Sequence, residues 1–183
     1  MGKRAIVILA DGFEEIEAIT AIDVLRRAGV EVTVCGLNSE RIKGSKGIII
    51  VADKILEGNE IEYDACVLPG GMPGAENLAA SDKVKKILLD MDNQGKIIAA
   101  ICAAPAVVLA TLGILNDKSA TCYPGMEEGF SDTTDYKKDD VVIDENVITS
   151  RGPATALKFA VAIVGALCGQ AIAQKIANAT LLK

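Results

Sequence analysis

The sequence predicts one α/β domain in three layers, a mostly parallel sheet with helices packed on both faces. Three observations carry this expectation. Short apolar runs alternate along the chain with segments of helical periodicity. Those runs are apolar at successive positions rather than at every second one, as strands covered on both sides must be. Half of the 183 residues are hydrophobic, yet only 3% are aromatic and none is Trp, so the core is built from Ala, Val, Ile and Leu. No linker, repeat or low-complexity tract divides residues 1–183, and the length fits a single domain.

The elements follow in order. "RAIVILA" (4–10) reads as a buried strand, and residues 14–28 as a helix stopped by Gly29. "VEVTVCG" (30–36) is the second strand, and "SKGIIIVAD" (45–53) is strand-like, pairing as a hairpin with the chain before it. "YDACVLPGG" (63–71) is a strand running into a glycine turn, followed by a helix over 82–93 that ends near Gly95. "KIIAAIC" (96–102) is a strand and "APAVVLATLG" (104–113) a helix. Short strands are expected at 118–122, 140–143 and 147–150, and 127–140 reads as a solvated loop. A long helix runs from Pro153 to Gly169, and a last one fills 170–180. In such sheets the site lies at the carboxyl ends of the strands. Gly12 to Glu17, Gly70 to Gly74 and Cys102 all fall there.

Composition narrows the function. The formal charge is −6 and no Lys/Arg cluster stands out, so nucleic acid is not expected as a direct partner. Five cysteines, at 35, 66, 102, 122 and 168, form no CxxC pair and match no zinc spacing, so no metal is expected. Free thiols in apolar runs suit a reducing compartment, and the expected location is cytoplasmic. The amino terminus meets acidic residues too early for a signal peptide. Ile97–Leu115 is uncharged and long enough to span a bilayer, but Pro105, Gly113 and many alanines fit a strand, a turn and a buried helix instead, so no membrane association is expected.

Cys102 follows the apolar strand "IIAAI" and precedes a helix with Pro105 in its first turn. A side chain at that junction faces the unpaired N–H groups of the helix, which favour thiolate over thiol. A packed, inert cysteine is the competing reading of the same residues. The chain contains no histidine, so any proton-handling group is a carboxyl, Lys, Tyr or another Cys. At 100° per residue Glu14 falls on the apolar face of the first helix and Glu17 at its edge, while Glu15 points to the side, toward Arg26. Burial raises a carboxyl pKa, so a neutral glutamic acid here can donate to a thiolate and shuttle a proton. In "LPGGMPG" (68–74) the N–H of Gly70 or Gly71 can bind a developing oxyanion. Tyr123 and Arg151 are further candidates, the latter for binding a carboxylate.

Taken together, "GFEEIEA" (12–18), "VLPGGMPGAENL" (67–78), "IIAAICAAPAVVLA" (97–110) and "VITSRGPATALKFA" (147–160) resemble the ThiJ/PfpI superfamily, in its parkinsonism-associated deglycase-like branch. The resemblance runs from about residue 4 to 180. It implies a flavodoxin-like sandwich, a homodimer and chemistry without a cofactor. By motif match Cys102 is the reactive elbow cysteine in a strained conformation, Glu17 the protonated glutamate against its sulfur, and the N–H groups of Gly71 and Ala103 the oxyanion-binding pair. Two departures stand out. Tyr123 occupies the place of a histidine found in many relatives, and Ala103 that of the histidine used by protease-like members, which disfavours proteolysis.

The leading expectation is therefore a cysteine-dependent enzyme of reactive-carbonyl defence that turns methylglyoxal into lactate or acts on glycated substrates. Glu14, Gly70, Tyr123 and Arg151 are expected to contact the substrate. The alternative is a non-enzymatic oxidative-stress sensor or chaperone switched by oxidation of Cys102. A hydrolase-like activity is the third reading, weakened by the missing histidine.

Overall fold

The computed structural model describes residues 2–182, so the two terminal residues of the expected 1–183 domain lie outside it. In chain order the elements are β1 (Arg4–Leu9), α1 (Glu15–Arg27), β2 (Glu31–Gly36), β3 (Arg41–Lys43), β4 (Ile49–Val51), β5 (Lys54–Ile55) and β6 (Ala65–Leu68). Next come α2 (Gly74–Ala80), α3 (Asp82–Asn93), β7 (Ile97–Ile101), β8 (Ser119–Ala120), β9 (Asp135–Tyr136), β10 (Val141–Asp144), β11 (Val147–Ser150), α4 (Ala156–Cys168) and α5 (Gln170–Ala179). Seven strands form one sheet in the order β10-β11-β7-β6-β1-β2-β5. Every pairing is parallel except that of the edge strand β10 with β11.

Strand periodicity builds the layers. Ala5, Val7 and Leu9 of β1 pack with α1 and α4 through residues such as Leu25, Phe159 and Ile163. Ile6 and Ile8 point the other way, onto Leu88 and Met91 of α3 and Val108 of the segment after β7. The fold is thus the flavodoxin-like sandwich that the resemblance implies. The uncharged 97–115 stretch is a strand, a turn and a short helical segment, and no helix among the described residues is long and apolar enough to cross a membrane.

Several details differ from expectation. The predicted 104–113 helix is a π turn over Pro105–Leu109 followed by a 3₁₀ turn over Ala110–Leu112, with the Ala110 N–H donating to the Pro105 carbonyl. Helix α2 had no counterpart among the predicted elements. It is short, and Ser81 breaks it from α3 by accepting the Val84 N–H on its hydroxyl. The 45–53 segment does form a hairpin, β3 with β4, outside the main sheet. The 127–140 loop carries β9, which pairs with β8 in parallel.

Candidate active site

Three chain segments meet at the carboxyl ends of β6 and β7. The first is the elbow after β7. Cys102 has φ of +64°, in the left-handed region that a non-glycine residue rarely occupies. Such a conformation costs about 1–3 kcal/mol and persists only where neighbours fix it. Here the Cys102 N–H donates to the Ser150 carbonyl at 2.9 Å, and its own carbonyl accepts the Tyr123 N–H at 2.8 Å.

The second segment is the glycine turn after β6, where glycine is required by contact. A Cβ on Gly70 would lie 2.6 Å from the Cys102 Cβ, and one on Gly71, with φ of +88°, would lie 2.5 Å from the Glu14 nitrogen. This close approach brings the Gly71 N–H, together with that of Ala103, onto the Cys102 sulfur. The third segment is the first turn of α1. Glu14 is its N-cap rather than a helical residue. Its carboxylate accepts the Glu17 N–H at 2.8 Å, while its own N–H donates to the Gly70 carbonyl at 2.9 Å. The helix start and the glycine turn are thereby stitched together.

Glu17 is fully buried. Its Oε2 accepts the Gly70 N–H at 2.8 Å, whereas Oε1 is buried without an ordinary hydrogen-bond partner, and the Cys102 thiol lies against the carboxyl. Burial pushes the Glu17 carboxyl up to about 7, against the pull of the Gly70 N–H and the thiol. The acidic thiol expected from the helix terminus is corrected here. Burial, then the Glu17 charge and its hydrogen bond, push Cys102 up to about 12, and the Gly71 and Ala103 N–H groups only partly offset them. The two groups titrate as a pair, the carboxylate raising the thiol while the thiol's hydrogen bond pulls the carboxyl down.

The sulfur opens into a cleft of about 590 Å³. Glu14, Ser45 and Lys46 form one side, and Met72, Tyr123 and Pro153 contribute to the rest. Tyr123 is 48% exposed. Two candidates fall elsewhere. Gly70 is buried beneath the cleft, its N–H taken by Glu17, so it orders the pair instead of meeting a substrate. Arg151 lies in an adjoining pocket beyond Tyr123 and donates to the Lys138 carbonyl at 3.1 Å, tying down the 127–140 loop. Glu15 is not the lateral, Arg26-facing acid expected from the helix wheel. It is buried and holds the 44–48 segment. Among the described residues no group of three or more His, Cys, Asp or Glu side chains could hold a metal ion.

Comparison with known proteins identifies the architecture. Residues 3–166 match the DJ-1/PfpI family. The chain is 44% identical over 185 residues to Protein dj-1beta of Drosophila melanogaster, covering 100% of this chain and 98% of that one. The crystal structure of Drosophila DJ-1beta superposes with a TM-score of 0.95 over the whole of both chains. Oxidized DJ-1 of Toxoplasma gondii superposes with a TM-score of 0.94 at 40% identity, covering 98% of each chain. The glutathione-independent glyoxalase DJR-1.2 of Caenorhabditis elegans is 38% identical over 169 residues, 91% of this chain and 90% of that protein. The chain belongs to the DJ-1/PfpI family.

Proposed function

We propose that this member of the DJ-1/PfpI family is a cysteine-dependent, cofactor-independent enzyme of reactive-carbonyl defence, converting 2-oxoaldehydes such as methylglyoxal to 2-hydroxy acids such as lactate. One observation carries the reading. A single sulfur at the floor of a cleft meets a carboxyl whose pKa stands at about 7 and two backbone N–H donors. The glyoxalase name of the nematode relative favours this over a purely redox-sensing role.

The reactive form of the pair has its proton on Glu17 and its charge on Cys102. Moving the proton from sulfur to the carboxyl removes the carboxylate charge that opposes the thiolate and leaves the two N–H donors in place. It also gives the buried Glu17 an O–H to donate to sulfur. The thiolate then adds to the aldehyde carbon, forming a C–S bond, and the new oxyanion lies against the Gly71 and Ala103 N–H groups. Glu17 protonates that oxygen. As a carboxylate it next takes the proton from the same carbon and returns it to the neighbouring carbon through an enediol. The product is a thioester of the 2-hydroxy acid. Water cleaves it, restoring the thiol. One water is consumed and no oxidant or reductant is required. Tyr123, in the cleft wall, serves as donor to the second carbonyl oxygen, where relatives carry a histidine. A cleft of about 590 Å³ also leaves room for a glycated substrate larger than methylglyoxal.

The test is lactate formation from methylglyoxal. Wild type should turn over, while Cys102→Ala and Glu17→Gln should each lose at least about 100-fold in kcat/KM. Full activity in Cys102→Ala would refute the mechanism.

The chain is further read as a cytoplasmic homodimer. Five free cysteines suit a reducing compartment. Ile16 and Ile19 on α1 and Ile49 and Val51 on β4 are all about half exposed, at 57, 46, 50 and 62%. Exposed apolar side chains of this kind suit contact with a second copy of the same chain. Sedimentation equilibrium should give twice the chain mass, reduced by Val51→Glu. A monomer mass for wild type would end this reading.

A further inference from the structure

Glu15 is the most heavily engaged side chain near the cleft outside the Cys102–Glu17 pair. It is 5% exposed. Its Oε1 accepts the Lys46 N–H at 2.7 Å and the Ile48 N–H at 3.4 Å, and its Oε2 accepts the Ser45 hydroxyl at 3.2 Å. Gly44 lies so close that a Cβ on it would sit 2.4 Å from the Glu15 Cδ and Oε1. Two backbone bonds assist, from the Ser45 N–H to the Phe13 carbonyl and from the Gly12 N–H to the Lys43 carbonyl, each 2.8 Å. The segment so fastened is the turn of the β3–β4 hairpin, which pairs with no strand of the main sheet. A lone two-stranded hairpin has little stability of its own. Its strands are held by the buried Ile42 and by the Lys43 N–H donating to the Asp11 carboxylate at 2.8 Å, and the turn between them is held by the tether to α1.

That segment is also a wall of the cleft, through Ser45 and Lys46. Glu15 and Glu17 are two residues apart on one helix, hence about 200° apart around its axis, on opposite sides. No hydrogen bond connects Glu15 to Gly70, Gly71, Cys102 or Ala103. The Glu15 carboxylate thus holds the wall without bonding to the groups around the sulfur.

We propose that Glu15 is a positioning residue that fixes the 44–48 wall of the Cys102 cleft and thereby sets how tightly the substrate is held, leaving the reactivity of the sulfur to Glu17. The kinetic part of this rests on the 2-oxoaldehyde reading above. The positional part does not.

Two measurements on Glu15→Ala and Gly44→Ala separate these parts. Amide hydrogen exchange should accelerate at Lys46 and Ile48 in both variants, whatever the protein's activity. With methylglyoxal, KM should rise about tenfold in each while kcat stays within about twofold. The double variant should be little worse than either single one, because both break the same contact. The pH profile of Cys102 alkylation by iodoacetamide should not move. Unchanged exchange at 44–48, or a loss confined to kcat with a shifted alkylation profile, would overturn the proposal. If wild type fails to turn over methylglyoxal, the exchange result still decides the tether while the substrate reading alone falls. Should Glu15→Ala not fold, Gly44→Ala delivers the same test with the carboxylate intact.

Discussion

Glu15 and Glu17 stand in the same helical turn, both buried, yet their carboxyls are held in opposite conditions. Burial pushes both up. At Glu15 the N–H groups of Lys46, Ile48 and its own residue, with the Ser45 hydroxyl, more than offset it, and the carboxyl lies below its ordinary range. At Glu17 one backbone N–H and a thiol are the available donors, and the carboxyl stays at about 7. Location in the first turn of α1, near the positive end of the helix, is common to both. Depth and the number of donors together decide whether a buried carboxyl is a fixed charge or an acid able to give up and recover a proton near neutrality. Glu17 lies deeper, has fewer donors and faces the Glu14 charge. The first kind anchors a loop, while the second is suited to chemistry.

The comparison can be broken through pH. The Glu17 carboxyl is at about 7 in the folded protein against a reference value of 4.5. A raised folded pKa means that the folded state binds the proton more tightly. Its stabilising contribution is complete below the unfolded pKa and is lost as pH rises through about 7. The difference corresponds to about 3 kcal/mol at most. The chain has no histidine, so no other side chain with an ordinary pKa titrates between pH 5 and 8 to mask the effect. Urea-unfolding free energies of wild type should fall by up to about 3 kcal/mol from pH 5 to pH 8. Glu17→Gln should flatten that slope. A slope equally steep in the variant would mean that Glu17 is ordinary and the contrast with Glu15 is unfounded.

The legibility of these features in the sequence follows the same division. The sheet and its layers were readable because strand burial is written locally, in runs such as "RAIVIL" and "ACVL". The meeting of Cys102, the glycine turn and the start of α1 was readable because β7, β6 and β1 end there, where parallel sheets gather their loops. The choice of Glu17 as the partner of the sulfur came from the family resemblance. Glu15 was not readable. Its donors come from residues 45, 46 and 48, about thirty positions away, in a hairpin whose docking leaves no periodic signal. The helix wheel sent it sideways because the wheel sees only its own helix. The acidity of Cys102 was misjudged for a related reason. The N–H donors were inferable from the elbow, but the depth of the sulfur and the opposing carboxylate are properties of three segments packed together. Arg151 was expected at the substrate because a guanidinium suits a carboxylate, and its actual partner, the Lys138 carbonyl thirteen residues earlier, leaves no local signal.

A third buried carboxyl sharpens the rule away from any chemistry. Glu60 has a fully buried side chain and accepts the N–H groups of Glu57, Gly58 and Asn59 at 2.9, 2.7 and 3.0 Å. The Lys54 ammonium lies 3.0 Å from its Oε1. Burial again pushes the carboxyl up, and the Glu57 N–H, Lys54 and the Gly58 N–H together hold it below its ordinary value. Its condition is that of Glu15, with no cleft nearby to share the effect. Glu60→Ala should therefore lower stability at neutral pH without changing turnover. The three N–H groups it leaves lie in a surface loop where water can partly replace the carboxylate, so a loss of about 2 kcal/mol is expected. That corresponds to a fall in Tm of roughly 4–8 °C. A depressed folded pKa stabilises above the unfolded value and is lost as pH falls through the folded one, so the deficit should shrink in acid, opposite in sign to the Glu17 slope. Differential scanning calorimetry of wild type and variant at pH 7 and pH 4 reads both effects. A variant indistinguishable from wild type at pH 7 would show that backbone donors do not make a buried carboxylate favourable here, and the account of Glu15 as an anchor would lose its physical basis.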